Sequence, residues 1–165
     1  MIAHSIRYRF AQRFNVSARE AYDWCTDYSP EDMTLMQEQN ATRDVRQVSE
    51  DTILLNDTYT VGGERVTKQK LVCLYPDRLT WTSTHVTGPN RCSQFLYEIT
   101  PETDRTCLLK FTGLFLDYNI EKRRDEKEND LLAKKLEKMD SENWRLLARE
   151  IEKELKQSEH RKKIQ

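Results

Sequence analysis

The sequence predicts an α+β fold in which a curved antiparallel sheet packs against one C-terminal helix. The first observation is an amphipathic stretch at residues 141–157, where apolar residues recur at helical spacing: Trp144, Leu147, Ala148, Ile151 and Leu155. The second is the region 41–118, which is rich in β-branched and aromatic residues and has turn signals at intervals typical of an antiparallel meander. A helix of this length spans roughly 25 Å, so its apolar stripe needs a sheet to cover it.

Length and charge narrow the classes of function. A chain of 165 residues has the size of one domain, so we expect a single domain over residues 1–165. The net charge is −1, which leaves no overall field to attract nucleic acid or an anionic membrane. No run approaches the roughly 20 apolar residues that span a bilayer, and the N-terminus lacks the apolar core of a signal peptide. We therefore expect a cytoplasmic protein with no nucleic-acid partner and no integral membrane association.

The cysteines predict neither disulfides nor a metal site. Cys25, Cys73, Cys92 and Cys107 are far apart and form no Cys-x-x-Cys pair. In the cytoplasm they would be reduced thiols, most of them small apolar fillers. No other pattern in the sequence calls for a metal or a cofactor, and none is expected.

The N-terminal region predicts one strand and two short helices. Residues 5–14 alternate, with arginines opposite an apolar face that is formed by Ile6, Tyr8, Phe10 and Phe14. Ser17 and Glu20 have the spacing of a capping box, which predicts a helix of two or three turns starting at Ser17. Pro30 then interrupts the chain and begins a second short helix or helical turn.

Six further strands are expected in the meander, over residues 43–49, 52–61, 65–75, 79–87, 92–100 and 106–118. The junctions carry turn chemistry, such as the glycine pair at 62–63, Pro76-Asp77 and the Gly-Pro-Asn at 88–90. Because the connections are short, sequential strands should pair antiparallel.

The densely charged segment at about 119–140 is predicted to be helical. Its apolar row, Leu132, Leu136 and Met139, points on the order of 100° away from the row centred on Ile151. Two arrangements remain open at this point. The helix breaks near Asp140, or one long helix has a first half that projects and meets a protein partner through residues 119–140.

The whole pattern resembles the START-like superfamily, also called SRPBCC, which includes the birch-pollen allergen, polyketide cyclases and Aha1-type domains. The resemblance rests on the order of elements and on three stretches: RFNVSAREAYDWCTD, YEITPETDRTCLLKF and WRLLAREIEKEL. The charged insertion before Ser141 is longer than in most members. The resemblance implies a helix-grip fold, in which a bent seven-stranded sheet wraps the last helix around a tunnel for lipids, sterols, polyketides, plant hormones or aromatic intermediates.

A tunnel of this kind would be lined by the aromatic face of each strand, and concave apolar sites are where small ligands usually bind. For any single aromatic residue the alternative is ordinary packing in a filled core. The predicted lining is Tyr8, Phe10, Tyr59, Trp81, His85, Phe95, Tyr97, Phe111 and Phe115, closed by Trp144, Leu147 and Ile151.

Polar residues on that face are candidates for acid and base chemistry. They are His85, whose ordinary pKa of about 6.5 makes both protonation states accessible, with Tyr97 and Asp57. An ordinary strand-end histidine is the alternative for His85. No Ser-His-Asp order or nucleophile elbow is present. We expect a carrier or sensor of a hydrophobic, lipid-like, polyketide or aromatic molecule. A small cyclase or dehydratase, or an Aha1-like interaction module, is the alternative.

Overall fold

The computed structural model describes residues 3–35, 40–61, 63–118 and 124–164. The predicted fold class is confirmed, because a curved seven-stranded antiparallel sheet accompanies a long C-terminal helix. The elements are β1 His4–Phe14, α1 Ala18–Cys25, α2 Asp32–Leu35, β2 Thr42–Ser49, β3 Thr52–Val61, β4 Glu64–Tyr75, a 3-10 turn Pro76–Arg78, β5 Thr80–His85, β6 Gln94–Thr103, β7 Thr106–Asp117 and α3 Glu126–Ile164.

The strand order is β1-β7-β6-β5-β4-β3-β2, so each strand from β2 onward pairs with its neighbour in sequence. The first strand is the exception. It pairs antiparallel with β7 along its whole length, from His4 opposite Asp117 to Phe14 opposite Cys107. The meander and its short connections therefore behave as the sequence predicts.

Strand ends differ from the prediction around two turns. β5 ends at His85 and β6 begins at Gln94, because the chain turns at Cys92, whose φ of 64° is left-handed. The amide of Cys92 donates to the carbonyl of His85. At the other end, β6 continues past its predicted end at residue 100 to Thr103, and a register shift accommodates Pro101, which has no N–H to donate.

The capping box at the start of α1 is confirmed. The Oγ of Ser17 accepts from the amide of Glu20 at 3.3 Å, and the Glu20 carboxylate accepts from the amide of Ser17 at 3.0 Å. The second short helix is α2. α1 packs against β6 and β7, and α2 contacts α3.

The C-terminal helix is continuous from Glu126 to Ile164, so the break expected near Asp140 is wrong. The hydroxyl of Ser141 donates to the carbonyl of Lys138 within the helix and caps nothing. The single long helix of the second arrangement is present, but its first half does not project, because Leu136 is buried against the sheet. Residues 119–123 lie outside the described part of the chain.

One apolar stripe explains why the helix does not kink. Met139 is half exposed, so it does not belong to the buried row. The row instead passes from Leu136 through Asp140 to Trp144, Leu147 and Ile151, in steps of three or four residues. A carboxylate thus occupies a position of the stripe that faces the sheet.

The interior is divided into two apolar clusters. The smaller contains Leu136 of α3 and residues of the strands beside it, Ile6, Tyr8, Phe95 and Phe111. The larger joins α1, the sheet and the second half of α3 around Phe14, Trp81, Leu109, Ala148 and Ile151. Cys25 and Cys107 are buried as the sequence predicts, whereas Cys92 is exposed.

Candidate functional site

A cavity of about 380 Å³ lies between the sheet and α3. Its wall comes from every strand, from the α1–α2 region through Trp24, Tyr28 and Met33, and from α3. The side chains of the sheet and of α3 that surround this space do not fill it. The half-exposed Met139 marks the side on which the cavity approaches solvent.

The structure brings most of the predicted lining together. Of the residues that the sequence predicts to line a tunnel, all except Phe10 and Ile151 line the cavity. Phe10 stacks on Phe111 with 4.6 Å between ring centroids and is only half buried. Ile151 is fully buried in the larger core cluster. Binding of a ligand by the residues that do line the cavity remains a prediction.

Aromatic rings form the apolar part of the wall. The rings of Trp81 and Tyr97 are parallel, with an interplanar angle of 4° and centroids 4.8 Å apart. Trp144 of α3 lies against both rings, at 6.3 and 5.6 Å. The chain has three tryptophans, Trp24, Trp81 and Trp144, and all three line the cavity. Tryptophan fluorescence is therefore a direct probe of its contents.

A buried group of charges lines the β2–β4 side of the cavity. The guanidinium of Arg43 donates twice to Asp57, at 2.8 and 3.2 Å, and the ammonium of Lys70 donates to the same carboxylate at 2.5 Å. The side chains of Arg43 and Asp57 are 5% and 1% exposed, whereas that of Lys70 is 22% exposed. Lys70 is thus the most accessible member of the group.

These contacts decide the charge state of Asp57. Burial alone would raise the pKa of this carboxyl, but the bonds from Arg43 and the charge of Lys70 hold its pKa below the usual value. An ionised carboxylate that is occupied by two cations is a poor proton acceptor. Asp57 therefore anchors the charged group, and its predicted role in acid and base catalysis is not what its environment favours.

Asp32 of α2 lies on the other side of the same arginine. Its carboxylate is 3.6 Å from Arg43, and burial raises the pKa of Asp32 to about 6 in spite of that cation. The carboxyl groups of Asp27, Glu154 and Glu31 raise it further. Asp32 therefore titrates close to neutral pH.

A second polar pair spans the cavity from sheet to helix. The phenol of Tyr8 donates to the carboxylate of Asp140 across 2.5 Å. Burial raises the pKa of Asp140, while the bond from Tyr8 and the charges of Lys68 and Lys70 act in the opposite direction. Burial and the neighbouring carboxylate also raise the pKa of Tyr8, which stays a phenol.

His85 is kept neutral by its surroundings. Its side chain is 7% exposed, and its ring lies 4.8 Å from that of Phe95. Burial, and then the charges of Lys70 and Lys68, lower the pKa of His85 to about 3. A neutral imidazole facing a cavity can donate or accept one hydrogen bond. Tyr97 is a phenol for the same reason, because burial raises its pKa.

Three polar residues that line the cavity are not among those predicted from the sequence: Arg43, Lys70 and Asp140. Arg43 stands directly opposite Asp57 in the β2–β3 register, and Lys70 is two residues from Lys68, the Asp57 partner on β4. Cross-strand charge pairs become visible only when the register is known. Asp140 had a signal of its own, since it is the charged position within the apolar stripe of α3.

Two kinds of feature were not found among the described residues: a cluster of metal ligands and a membrane-spanning helix. No three His, Cys, Asp or Glu side chains in this part of the chain are grouped to hold a metal ion. No helix described here has both the length and the apolar character needed to cross a bilayer.

Comparisons with known proteins identify the fold. No family model matches the chain, and no curated protein matches it. Among solved structures, the ZhuI aromatase/cyclase from Streptomyces sp. R1128 superposes with a TM-score of 0.74 at 12% identity, over 92% of this chain and 96% of that one.

Two further structures agree with this result. The di-domain aromatase/cyclase StfQ of steffimycin biosynthesis gives a TM-score of 0.71 at 11% identity, over 92% of this chain and 52% of its own. A START superfamily protein from Mycobacterium smegmatis gives a TM-score of 0.62 at 13% identity, over 92% of this chain and 98% of its own. At such low identity the likeness establishes architecture alone. The resemblance drawn from the sequence is confirmed at that level: the chain has the START-like, or SRPBCC, helix-grip fold.

Proposed function

We propose that this protein binds a hydrophobic small molecule in the cavity between its sheet and α3, and that it acts as a carrier or sensor. The observation that supports this most directly is the cavity itself, about 380 Å³ in volume and walled by aromatic side chains of both sheet and helix. Ligand sites in proteins are typically concave and mostly apolar, with a few placed polar groups. The neighbours with aromatase/cyclase and START names are consistent with such a ligand.

The first test asks whether a ligand is present. Native mass spectrometry of protein purified gently from its own host should show a bound small molecule, which organic extraction then releases for identification. A lipid-like, polyketide or aromatic compound is expected. Protein that carries no compound and takes up none in the titration below would contradict the proposal.

The second test asks where the ligand binds. N-Phenyl-1-naphthylamine, a neutral apolar fluorophore, should quench the cavity tryptophans and gain fluorescence on binding. Ser83 lines the cavity and is 6% exposed, so Ser83→Leu should fill part of the space and weaken binding. Thr84 follows it in β5, with its side chain on the opposite face of the strand. Thr84→Leu is therefore the matched control and should leave binding unchanged.

A second candidate function is that of a cyclase or dehydratase. The neutral His85, the phenol of Tyr97 and the Tyr8–Asp140 pair all border the same cavity, so proton donors and acceptors surround the space where a substrate would lie. Asp57 is the least suited of the predicted candidates, because Arg43 and Lys70 occupy it.

This alternative can be tested with heptane-2,4,6-trione. Attack of C1 on the C6 carbonyl, followed by loss of one water, converts this trione into the aromatic diol orcinol. If the protein is an enzyme of this type, it should accelerate that conversion, and His85→Ala should remove the acceleration while the far-UV circular dichroism stays unchanged. An equal rate with and without protein would favour the carrier.

A protein partner at residues 119–140 remains a third proposal. Because Leu136 is buried in the protein's own core, a partner would meet the charged, exposed face of α3. Replacing Lys134 and Lys138, both exposed there, by Glu should then abolish co-purification of the partner. We also propose a cytoplasmic location, which rests on the sequence alone.

A further inference from the structure

We propose that the hydrophobic ligand carries a carboxylate, and that Lys70 binds this acid group at the β3–β4 wall of the cavity. The inference rests on the proposed function, since it assigns a chemical class to the ligand of the same cavity. It is argued from the hydrogen bonds and charges of the described residues.

The first step is that Asp57 does not need Lys70. Two bonds from Arg43, at 2.8 and 3.2 Å, already satisfy both carboxylate oxygens of Asp57. A bidentate arginine–carboxylate pair is complete in geometry and in charge. Lys70 is therefore a second cation on a carboxylate that already has a bidentate partner, while Arg43 also lies 3.6 Å from Asp32.

The second step concerns the hydrogens of Lys70. Its ammonium has three N–H donors, and within the described residues Asp57 is the acceptor that lies within hydrogen-bond distance. Lys70 also lines the cavity and is the most exposed member of its charged group. Donors of Lys70 thus remain for an acceptor that occupies the cavity.

The third step concerns the charged side chains around Lys70. Lys68 lies on the same face of β4 as Lys70 and also lines the cavity. Of the facing carboxylates, Asp57 is bound to Arg43, Asp140 accepts from Tyr8, and Asp32 lies beside Arg43. The neutral His85 adds no positive charge, and burial together with the two lysine charges keeps it so. These carboxylates balance part of the charge of Arg43, Lys68 and Lys70, so the attraction for an anion is local to the Lys70 ammonium, which retains donors for it.

The cavity is amphiphilic as a result. Its cationic wall lies on β2–β4, and the stacked rings of Trp81, Tyr97 and Trp144 form an apolar wall. A molecule that has an aromatic or aliphatic body and one acid group matches both walls. A neutral alcohol would match only the apolar wall, and it would offer Lys70 no charged acceptor.

The test compares 2-naphthoate with 2-naphthalenemethanol, which have the same ring system and differ in the acid group. Binding is measured through the cavity tryptophans and by calorimetry at pH 7.5. The wild-type protein should bind 2-naphthoate at least about 10-fold more tightly, since charge-assisted bonds are the stronger ones. Lys70→Met should remove this preference and leave alcohol binding unchanged. Lys110→Met, at an exposed position of β7, should keep the preference.

Each other outcome has a definite meaning. Equal affinity of the wild-type protein for the two probes, or equal loss of both in Lys70→Met, would show that Lys70 does not recognise the acid and would overturn the inference. Binding of the alcohol alone would do the same. If neither probe binds, the proposed function fails, and the cavity is not a site for such ligands.

Discussion

The phenol of Tyr8 on β1 and the carboxylate of Asp140 on α3 lie 2.5 Å apart, oxygen to oxygen, and they join the sheet to the helix at the cavity wall. This bond connects the first strand of the chain with its last helix. Because Asp140 is half-buried and Tyr8 is its donor, the pair contributes both to stability and to the polarity of the cavity.

Tyr8→Phe should lower the free energy of unfolding by about 1 kcal/mol, because it leaves a half-buried carboxylate without its donor. Urea denaturation at pH 7.5 measures the loss. Tyr75→Phe is the control, since Tyr75 is 46% exposed, and it should change stability little. A Tyr8 variant as stable as wild type would mean that the bond adds nothing.

Gly113→Ala should disturb the same pair from the opposite side. A Cβ at Gly113 would lie 2.7 Å from the Cε1 of Tyr8 and 3.0 Å from that of Phe111, so the Tyr8 ring must move. Overpacking of this kind costs about 1–3 kcal/mol. In the Tyr8→Phe background the ring no longer holds Asp140, so we expect the two losses to be less than additive in a double-mutant cycle. Full additivity would contradict the coupling.

Asp57→Asn should be the most destabilising of the single charge changes. It leaves the buried Arg43 with only the more distant carboxylate of Asp32, and it leaves Lys70 without its partner, a loss of about 3–5 kcal/mol. Thermal unfolding followed by circular dichroism measures it. Asp44→Asn on the exposed strand β2 removes a carboxylate that faces solvent, so the thermal midpoint should stay within the error of the wild-type value. Similar midpoints for the two variants would show that the buried group is not a structural anchor.

Asp32 should make the protein less stable as pH rises from 4 to 6. Burial raises its pKa from an ordinary value of 3.8 to about 6, so the folded state binds more protons than the unfolded state in this range. The contribution of this group to the free energy of unfolding therefore falls as pH increases through the window. Asp32→Asn should remove this component, as shown by subtracting its stability profile from that of wild type. A flat difference between pH 4 and 6 would refute the raised pKa.

His85 should remain neutral at pH 5. Its pKa of about 3, lowered by burial and by Lys70 and Lys68, lies far below the ordinary 6.5. The stability that depends on the neutral ring is complete above pH 6.5 and is lost as pH falls towards 3. NMR titration of the Cε1 proton, assigned by its disappearance in His85→Gln, measures the pKa directly. A midpoint above 6 would place the ring in contact with water or with an anion.

Periodicity was enough to predict the strands and the apolar face of the last helix. Alternation in residues 5–14 and the turn chemistry of the meander depend on local sequence, and these features survive in the structure. The path of β6 beyond Pro101 was not predictable, because a register shift between neighbouring strands decides it.

Most of the cavity lining could also be predicted, since aromatic residues on the inward face of each strand converge on one space. The polar residues of the cavity wall could not be predicted in this way. Arg43 is an ordinary charged residue on a strand until the register places it opposite Asp57. The charge of Asp140 within the apolar stripe is visible in the sequence, but it is equally compatible with a break in the helix. The contact with Tyr8 shows that Asp140 belongs to the stripe.

The pairing of β1 with β7 has a consequence for biosynthesis. The strand that emerges first from the ribosome finds its partner only when the meander is complete, and α3 follows later still. Until α3 has been made, the aromatic wall of the cavity is exposed to solvent. Pairing between strands that are far apart in sequence, such as β1 and β7, is also slow to form. We therefore expect newly made chains to depend on chaperones during this interval, and nascent chains stalled before residue 126 to aggregate.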